Sequence, residues 1–360
     1  MKILMLGCKE YPFGVSSKYD KKAGGGIEVH VEKLAKYLSK RGHEVFIITR
    51  RFPEQQEEET KGPIHVYRTR FVYNRYLRTI TFNFSAFLRA IPLIKKHRID
   101  LIHSHGLVGS FFGSVLSLLT GKPLVMTPHG TVDEWGLFRI PLKLFEWFSL
   151  RTAKKVIFIS EFARRRMSRG RAFSHVLLSN AIDFDDIQKP RRRSWSRIRF
   201  GFIGRLEKIK GIDILVEAFK RLPYKKCELY IAGEGSLKEA VMKSIKGYDN
   251  IKFLGWTRPG DFFNLIDVFV LPSKEMGQPF SLLEAMAYGK IIITSLGFIE
   301  NGKTGISVKP ELEDVCEKMF YVIRNFRRCE TLGKNARRLA EQMSWEREIE
   351  RFIVQYQSLL

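Results

Sequence analysis

The sequence has 360 residues, of which 44% are hydrophobic, and it carries a formal net charge of +24. This length exceeds what one hydrophobic core usually supports, and the hydrophobic content is that of an ordinary globular protein. The sequence therefore predicts two folded domains and excludes a disordered chain. The charge predicts an anionic partner, which could be nucleic acid, an acidic lipid surface or a phosphorylated small molecule.

The four cysteines are scattered along the chain without a Cys-x-x-Cys pair, at Cys8, Cys227, Cys316 and Cys329. That spacing argues against a zinc site and a disulfide framework, and it favours a reducing compartment. The apolar run at the start is too short for a secretory signal, and the longest uncharged stretch is shorter than the ~18 residues of a spanning helix. We expect a cytoplasmic protein without a transmembrane segment.

The first half of the chain alternates short apolar runs with stretches of helical periodicity. Strands are predicted at 2–6, 44–49, 99–103, 124–127 and 156–160, and helices at 28–40, 107–119 and 141–152. Runs of this length and β-branched content are typical of buried parallel strands. The pattern predicts consecutive βαβ units.

A polar, cationic stretch at 189–197 has neither hydrophobic period and predicts the domain boundary. A second series follows, with strands at 198–203, 228–232, 251–253, 268–271 and 291–294, and helices at 212–220, 237–246, 259–266 and 280–288. The fold class is therefore α/β, with two Rossmann-like, doubly wound parallel-sheet domains at 1–190 and 191–344. We expect ligands at the carboxyl ends of the strands, in a cleft between the domains. A final helix at 345–360 is expected to pack on the first domain.

The turn at 204–211 reads Gly-Arg-Leu-Glu-Lys-Ile-Lys-Gly, follows a predicted strand and opens a predicted helix. Free backbone N–H groups and the helix dipole favour an anion at such a place. Arg205 and Lys210 add fixed positive charge, which would stabilise the charge that develops on a diphosphate leaving group. Taken alone, the spacing describes a solvated basic loop equally well.

This turn resembles the donor-phosphate motif of the retaining glycosyltransferases of family 4, which have the GT-B fold. The resemblance extends in order along nearly the whole chain. Its further segments are Gly24-Gly-Gly-Ile-Glu-Val-His-Val31, Arg41-Gly-His-Glu-Val45, Thr127-Pro-His-Gly130, Ile159-Ser-Glu161, Asn180-Ala-Ile-Asp183, Ala232-Gly-Glu-Gly235, Leu271-Pro-Ser273, Leu283-Glu-Ala-Met-Ala287 and Ser344-Trp-Glu346.

The resemblance implies roles for the matching residues. Arg205 and Lys210 would bind the diphosphate, Glu284 would accept hydrogen bonds from the ribose hydroxyls, and His129 would lie near the transferred sugar. The full donor-binding set is Gly25, Gly26, Arg205, Lys210, Phe280, Ser281, Leu282 and Glu284. The groups placed nearest the chemistry are His129, Arg205, Lys210 and Glu275, and those on the acceptor side are Glu28 and His30.

The sequence departs from the family pattern at two places near the donor. Position 276 is Met where the family usually has a second glutamate that contacts sugar hydroxyls, and Glu275 is the nearest acid. Either Glu275 fills that role after a one-residue shift, or the hydroxyl contacts differ. The segment after Thr294 is also shorter than usual and lacks paired glycines, which keeps altered donor choice and reduced activity open.

Two short patterns resemble metal sites, but we expect no metal and no cofactor. Asp183-Phe-Asp185 has the Asp-x-Asp spacing of metal-dependent transferases, yet acidic pairs in turns are common caps. His103-Ser-His105 offers two imidazoles without a nearby third ligand in the sequence, which is more typical of a strand end.

The stretch 67–96 interleaves arginine and lysine with aromatic and aliphatic residues, and 135–151 has a similar composition. Long cationic side chains around aromatic rings suit a membrane surface. We expect this basic-aromatic face to place the protein peripherally on the inner face of a membrane and to bring it to a lipid-borne acceptor. The competing interpretation is that the aromatic residues are core and the cations are solvated.

The resulting hypothesis is a metal-independent, retaining glycosyltransferase that binds a sugar nucleotide and transfers its sugar to a lipid-linked acceptor or a growing glycan. A protein of this fold that binds sugar nucleotide without turnover, and a sugar-nucleotide epimerase, are the alternatives. A nucleic-acid binder is disfavoured because no recognition module is visible and scattered basicity gives only non-specific affinity.

Overall fold

A computed structural model describes residues 1–12, 25–74, 77–130, 139–187, 197–223, 226–274 and 277–360, and of 139–141 it describes the backbone alone. The chain divides into two compact units. The first comprises Met1–Asn180 with Trp345–Leu360, and the second comprises Ala181–Ser344. The division lies before Ala181, whereas the sequence analysis placed the boundary after residue 190.

Among the described residues, the strands of the first unit form one eight-stranded sheet in the order β3-β4-β2-β1-β5-β6-β7-β8. These strands are β1 (Lys2–Leu6), β2 (Glu44–Arg50), β3 (Glu58–Lys61), β4 (Ile64–Thr69), β5 (Leu101–His105), β6 (Leu124–Thr127), β7 (Lys155–Phe158) and β8 (His175–Leu177). Side chains of the central strands are almost wholly buried, as expected where helices cover both faces.

The sheet is parallel except at β3, which pairs with β4 in antiparallel fashion. The sequence analysis missed this strand because all four of its residues are polar and exposed. Its structure comes from pairing with β4, with Glu58 opposite Tyr67, rather than from burial. The expectation of a wholly parallel sheet is therefore wrong at this edge, and charged residues there suit an edge strand.

The helices of the first unit cover the sheet and include the last segment of the chain. They are α1 (Gly26–Lys40), α2 (Arg78–His97), α3 (Leu107–Thr120), α4 (Arg139–Thr152), α5 (Glu161–Ser168) and α12 (Trp345–Gln357). The helix α12 is bound to this unit by buried polar contacts: Tyr356 Oη lies 2.8 Å from His103 Nδ1, and Ser179 N donates to Glu348 Oε1 over 3.0 Å. Trp345 and Tyr356 are fully buried.

The second unit contains a six-stranded parallel sheet, in the order β11-β10-β9-β12-β13-β14 among the described residues. Its strands are β9 (Ile198–Ile203), β10 (Cys227–Ala232), β11 (Ile251–Gly255), β12 (Val268–Leu271), β13 (Ile291–Thr294) and β14 (Ile306–Ser307). Its helices are α6 (Ile212–Lys220), α7 (Lys238–Ser244), α8 (Pro259–Leu265), α9 (Phe280–Ala287), α10 (Leu312–Arg324) and α11 (Phe326–Gln342).

Each unit has a hydrophobic core of its own between sheet and helices. All four cysteines are free and buried, in keeping with the predicted lack of a disulfide framework. Burial and the nearby Glu28 carboxylate raise the pKa of Cys8 well above its ordinary value, so this thiol stays protonated. In the described part of the chain, no helix combines the length and apolar character needed to cross a bilayer.

Candidate functional site

In the second unit, the direction of winding reverses between β9 and β12, which are neighbours in the sheet although β10 and β11 separate them in the chain. Ligands of open parallel sheets bind outside the carboxyl ends of the strands at such a point. The segments that leave these two strands are the turn 204–211 and the connection from β12 to α9. The donor-side residues predicted in this unit lie on the turn and on α9.

The turn 204–211 is fixed by backbone hydrogen bonds on both flanks. On one side, Leu206 N donates to Glu234 O over 2.9 Å, and on the other, Lys274 N donates to Ile209 O over 2.8 Å. The segments that follow β10 and β12 therefore flank the turn that follows β9 and bond to it on both sides. A turn held on both sides keeps its shape without help from a ligand.

Gly211 ends the turn in the left-handed region, with φ of 72°. A Cβ at this position would lie 2.1 Å from the Pro272 carbonyl oxygen, so only glycine fits. This close approach brings the start of α6 against the exit of β12. The first-turn N–H groups of α6 have no acceptor within their own helix and point towards the switch point.

The two predicted phosphate-binding cations lie on this turn, Arg205 exposed and Lys210 half-buried immediately before α6. An exposed guanidinium can form two parallel hydrogen bonds with phosphate oxygens, while an ammonium acts as a point charge. Together with the start of α6, they gather positive charge and hydrogen-bond donors at the switch point, which is what binding of an anion requires.

The helix α9 begins after Pro279 and presents the remaining donor-side residues. Phe280, Ser281 and Glu284 are half-buried, so part of each reaches the surface. Leu282 is fully buried in the core of the unit. Its side chain therefore anchors the helix, and only its backbone is available to a ligand. Glu284 lies one turn into the helix, and a carboxylate is chemically able to accept hydrogen bonds from two adjacent hydroxyls.

The two departures from the family pattern follow β12 and β13 in the chain. Glu275 and Met276 fall outside the described residues, so the role of Glu275 stays a prediction. The short segment after Thr294 closes on itself, because Gly302 N donates to Gly305 O over 2.8 Å and two of its apolar side chains are buried, Leu296 and Ile299. Its apolar groups are thus used for packing.

The first unit has the same kind of switch point between β1 and β5. Gly25 caps α1 in an extended conformation, with φ of −178°, and a Cβ there would come no closer than 3.8 Å to Glu28 Oε2. The fold itself therefore does not require glycine at position 25. Gly26 is exposed in the first turn of α1. Glu28 is buried, and its Oε1 accepts from Lys9 N over 3.3 Å.

Three histidines from separate elements meet at this switch point. His30 lies on α1, His105 ends β5, and His129 follows β6 with a left-handed φ of 61°. The Nδ1 of His105 and the Nε2 of His129 are 3.1 Å apart and share a hydrogen bond. The ring of His30 stands edge-on to that of His129, with 5.0 Å between centroids. Sequence reasoning selected His30 and His129 but assigned no role to His105.

Buried polar groups hold this cluster in place. The Nδ1 of His30 lies 3.2 Å from Asn180 Oδ1. The neighbouring His103 lies 2.9 Å from Thr127 Oγ1 through Nε2 and is bonded to Tyr356 Oη through Nδ1. His30, His103 and His105 have at most 1% of their surface exposed, whereas His129 is half-buried. His129 is therefore the member of the cluster that a ligand can reach directly.

Desolvation keeps the four histidines uncharged. Burial lowers the pKa of His30 from 6.5 to about 4, against the opposing effect of its hydrogen bond to Asn180. Burial also lowers the pKa values of His103, His105 and His129 well below 6.5, and the other histidines of the cluster depress them further. Near neutral pH, each ring therefore carries one proton and one lone pair.

Three of these rings, His30, His105 and His129, bring one nitrogen each within 4.8 Å of one another, an arrangement of the kind that holds a transition metal. His103-Ser-His105 ends β5 as expected, but the fold also brings His30 and His129 to His105 from distant parts of the chain. The Asp183-Phe-Asp185 pattern forms a turn in which Asp183 Oδ1 accepts from Asp185 N over 3.2 Å, which confirms its interpretation as a cap.

The predicted basic-aromatic face 67–96 is divided by the fold. Tyr67 and Arg68 are buried in β4, where Arg68 pairs with Glu59, and Phe82 is core. The outer side of α2 instead exposes an apolar row, each member about half exposed: Leu77, Ile80, Phe84 and Leu88. Of 135–151, residues 135–138 lie outside the described residues, Phe145 stacks on Phe111, and Leu144 and Trp147 are exposed.

Comparison with protein families gives two matches. The family model described as Glycosyltransferase Family 4 matches residues 24–186, and the model described as Glycosyl transferases group 1 matches residues 197–325. An uncharacterized glycosyltransferase of Methanocaldococcus jannaschii is 25% identical over 344 residues, which cover 90% of this chain and 92% of that protein.

Solved structures share the fold along the whole chain. Sucrose-phosphate synthase from Thermosynechococcus elongatus aligns with a TM-score of 0.84 at 19% identity, over 100% of this chain and 99% of that one. HepE from Anabaena, in complex with UDP-glucose, aligns with a TM-score of 0.78 at 19% identity, over the full length of both chains.

We predict that the histidine cluster makes the folded protein less stable as the pH falls from about 6.5 towards 4. Above 6.5 the histidines are neutral in both states. Below pH 6.5, histidine in the unfolded chain becomes protonated, whereas His30 in the folded chain does not, because its pKa is lowered to about 4. The stability of the folded protein therefore falls until the pH reaches about 4. Replacing His30 by Gln should reduce the slope of unfolding free energy against pH by up to about 1.4 kcal/mol per pH unit.

Urea denaturation between about pH 5 and pH 6.5, above the range where most carboxylates titrate, measures this slope. The exposed His175 supplies the matched comparison, His175→Gln, and the His30→Gln variant should have the smaller slope of the two. Equal slopes for the two variants would contradict the assignment of a buried, neutral His30.

Proposed function

The chain belongs to glycosyltransferase family 4, and on that basis we propose that it transfers a sugar, with retention of configuration, from a nucleotide-diphosphate sugar to an acceptor. Its GT-B fold is that of the nucleotide-sugar transferases it aligns with. The donor is held chiefly by the second unit and the acceptor by the first. Fold alone does not assign function, so the proposal depends on the residues at the two switch points.

The observation that carries the proposal is the position of Arg205, Lys210 and Glu284 around the switch between β9 and β12. The turn 204–211 brings two cations and the start of α6 to one side, and α9 brings a carboxylate to the other. Diphosphate next to ribose is the ligand chemistry that needs an anion site beside a bidentate hydroxyl acceptor.

The same groups account for catalysis by electrostatic stabilisation. As the glycosidic bond breaks, negative charge develops on the leaving diphosphate, and the fixed charges of Arg205 and Lys210 stabilise it without a metal ion. In a same-face reaction, the leaving phosphate oxygen takes the acceptor's proton. This route gives retention and requires no nucleophile from the protein.

The first unit contributes backbone and neutral donors. Gly25, which is extended and half-buried, and Gly26, which is exposed in the first turn of α1, suit close approach of a substrate to the backbone. The half-buried His129 suits contact with the transferred sugar. Glu28 and His30, predicted on the acceptor side, are buried, so we assign them an indirect role through the groups they hold in place.

We propose UDP as the nucleotide, since HepE, which has the same fold, was solved with UDP-glucose. Replacing Glu284 by Gln should weaken UDP binding by roughly 10- to 100-fold, because a hydrogen bond to a charged group contributes about 1.5–3 kcal/mol. Isothermal titration calorimetry with UDP, GDP and ADP measures the effect and compares the three bases.

The matched control is Glu239→Gln, an equal charge change at an exposed position on α7 of the same unit. It should bind UDP as the wild type does. If Glu284→Gln keeps wild-type affinity for all three nucleotides, the proposed ribose contact is wrong.

We further propose that α2 docks on an anionic membrane that carries the acceptor. Leu77, Ile80, Phe84 and Leu88 repeat at three- and four-residue intervals and so share one face of the helix. The opposite face of α2 packs in the core, so the exposed row is not needed to attach the helix to the unit. Exposed lysines at the end of the helix, Lys95 and Lys96, and the net charge of +24 favour anionic lipid.

The triple substitution Ile80→Ser, Phe84→Ser and Leu88→Ser should lower binding to vesicles of phosphatidylglycerol and phosphatidylcholine by about tenfold or more, because three partly inserted apolar side chains are lost. Co-sedimentation measures binding, with pure phosphatidylcholine vesicles as the uncharged comparison. The exposed Val354 and Tyr321 provide a control pair, each changed to Ser. Unchanged binding of the α2 triple variant would rule out this docking face.

A further inference from the structure

The hydrogen bond between His105 and His129 can be formed in two ways. Either His105 Nδ1–H donates to His129 Nε2, or the direction is reversed. The two tautomers leave different groups of His129 for a ligand. In the first, His129 presents an N–H at Nδ1, and in the second it presents a lone pair there.

The second ring nitrogen of His105, Nε2, decides between the two tautomers. Its Nε2 is buried and has no hydrogen-bond partner among the described residues. A buried N–H without an acceptor costs more than a lone pair without a donor, and orphaned N–H groups are the rarer of the two. The proton of His105 is therefore at Nδ1, which donates to Nε2 of His129. Because Nε2 of His129 accepts this hydrogen bond and carries no proton, the N–H of that ring is at Nδ1.

The surroundings preserve this arrangement. In the register of the two parallel strands, His105 pairs with Thr127, two residues before His129. The ring of His30 packs against both other rings, and its Nε2 is likewise buried and without a partner among the described residues. With its Nδ1 bonded to Asn180 Oδ1, His30 adds a second lone pair rather than a competing donor.

The backbone at His129 gives independent support. Its φ of 61° is uncommon for a residue other than glycine, and such strain persists only where the surroundings hold it. His129 contacts His105 through a hydrogen bond and His30 edge to face, and both contacts restrain its ring. The His129 ring is half-buried, and its Nε2 is bonded to His105, which leaves Nδ1 for a ligand.

We propose that His105 is a positioning residue that fixes His129 as an Nδ1–H donor, directed at an oxygen of the substrate at the switch point of the first unit. This rests on the proposed function. In this role His129 donates a hydrogen bond and does not act as a general base, because its only lone pair is occupied by His105. His105 itself is buried and does not touch the substrate.

The tautomers are measured directly by long-range ¹H–¹⁵N correlation spectroscopy of the full-length chain labelled with ¹⁵N-histidine, near neutral pH. His129 is identified by the signals that disappear in His129→Asn, a change that tolerates the left-handed backbone. We expect a protonated Nδ1 and an unprotonated Nε2 in both His105 and His129. A protonated Nε2 in His129 overturns the proposal, as does tight, equimolar Zn²⁺ binding at these two rings.

The effect on activity is tested with His105→Asn and His105→Leu. Asn has an N–H at the position of Nδ1 and can still donate to His129, whereas Leu cannot. We expect kcat to fall on the order of 10²-fold for the Leu variant, the usual effect of losing one oriented donor, and most of that loss to be recovered in the Asn variant. KM should change much less. Equal kcat values for the two variants overturn the positioning role.

The two experiments separate this inference from the proposed function. If no sugar nucleotide is turned over by the wild type, the proposed function fails while the tautomer of His129 is still measured. If turnover is observed but His129 carries its proton at Nε2, the proposed function stands and the role of His105 fails. Should the Leu variant not fold, the spectrum of the wild type still decides.

Discussion

The reversal of winding beside the first strand of each sheet is the constraint on which both candidate sites depend. Parallel strands end at the same edge, and where two neighbouring strands lead into opposite directions, no connection covers the gap between them. In the second unit, this gap lies between β9 and β12, and in the first, between β1 and β5. The helices that follow these strands direct their N-terminal N–H groups there. A ligand bound at either gap would therefore meet the first turns of these helices.

The two candidate sites share this geometry, but one carries permanent positive charge and the other is neutral. The second unit places permanent charge, Arg205 and Lys210, on a turn fixed by hydrogen bonds from both sides. The first unit places imidazoles that burial keeps neutral. Fixed cations suit a leaving group on which negative charge grows. Neutral N–H groups suit sugar hydroxyls, which need orientation without a change in charge.

The sequence predicted those parts of the structure in which local pattern and burial agree. Buried strands such as β6, β9, β12 and β13 have the predicted bounds, because apolar β-branched runs of that length have few other structures available. The turn 204–211 could be predicted from the sequence because glycines and cations follow directly after an apolar strand. Features that are encoded by neighbouring residues in this way can be predicted from the sequence alone.

What the sequence could not show depends on contacts between distant segments. The strand β3 has no apolar residue and is defined only by its partner β4. His105 becomes interpretable only when β6 is known to lie beside β5, and the hydrogen bond between His103 and Tyr356 joins residues that are 253 positions apart. The exposed row on α2 was read as part of a longer cationic face, because sequence alone did not separate the buried Arg68 from its exposed neighbours.

The central claim is that this chain catalyses retaining transfer from a UDP-sugar with charges supplied by its own side chains. Its most direct test is ¹H NMR of the product formed from UDP-α-glucose in the presence of EDTA, with a membrane extract as the source of acceptor. The account predicts turnover and an α-linked product. A β-linked product, or turnover that stops in EDTA and returns with added divalent metal, would contradict it.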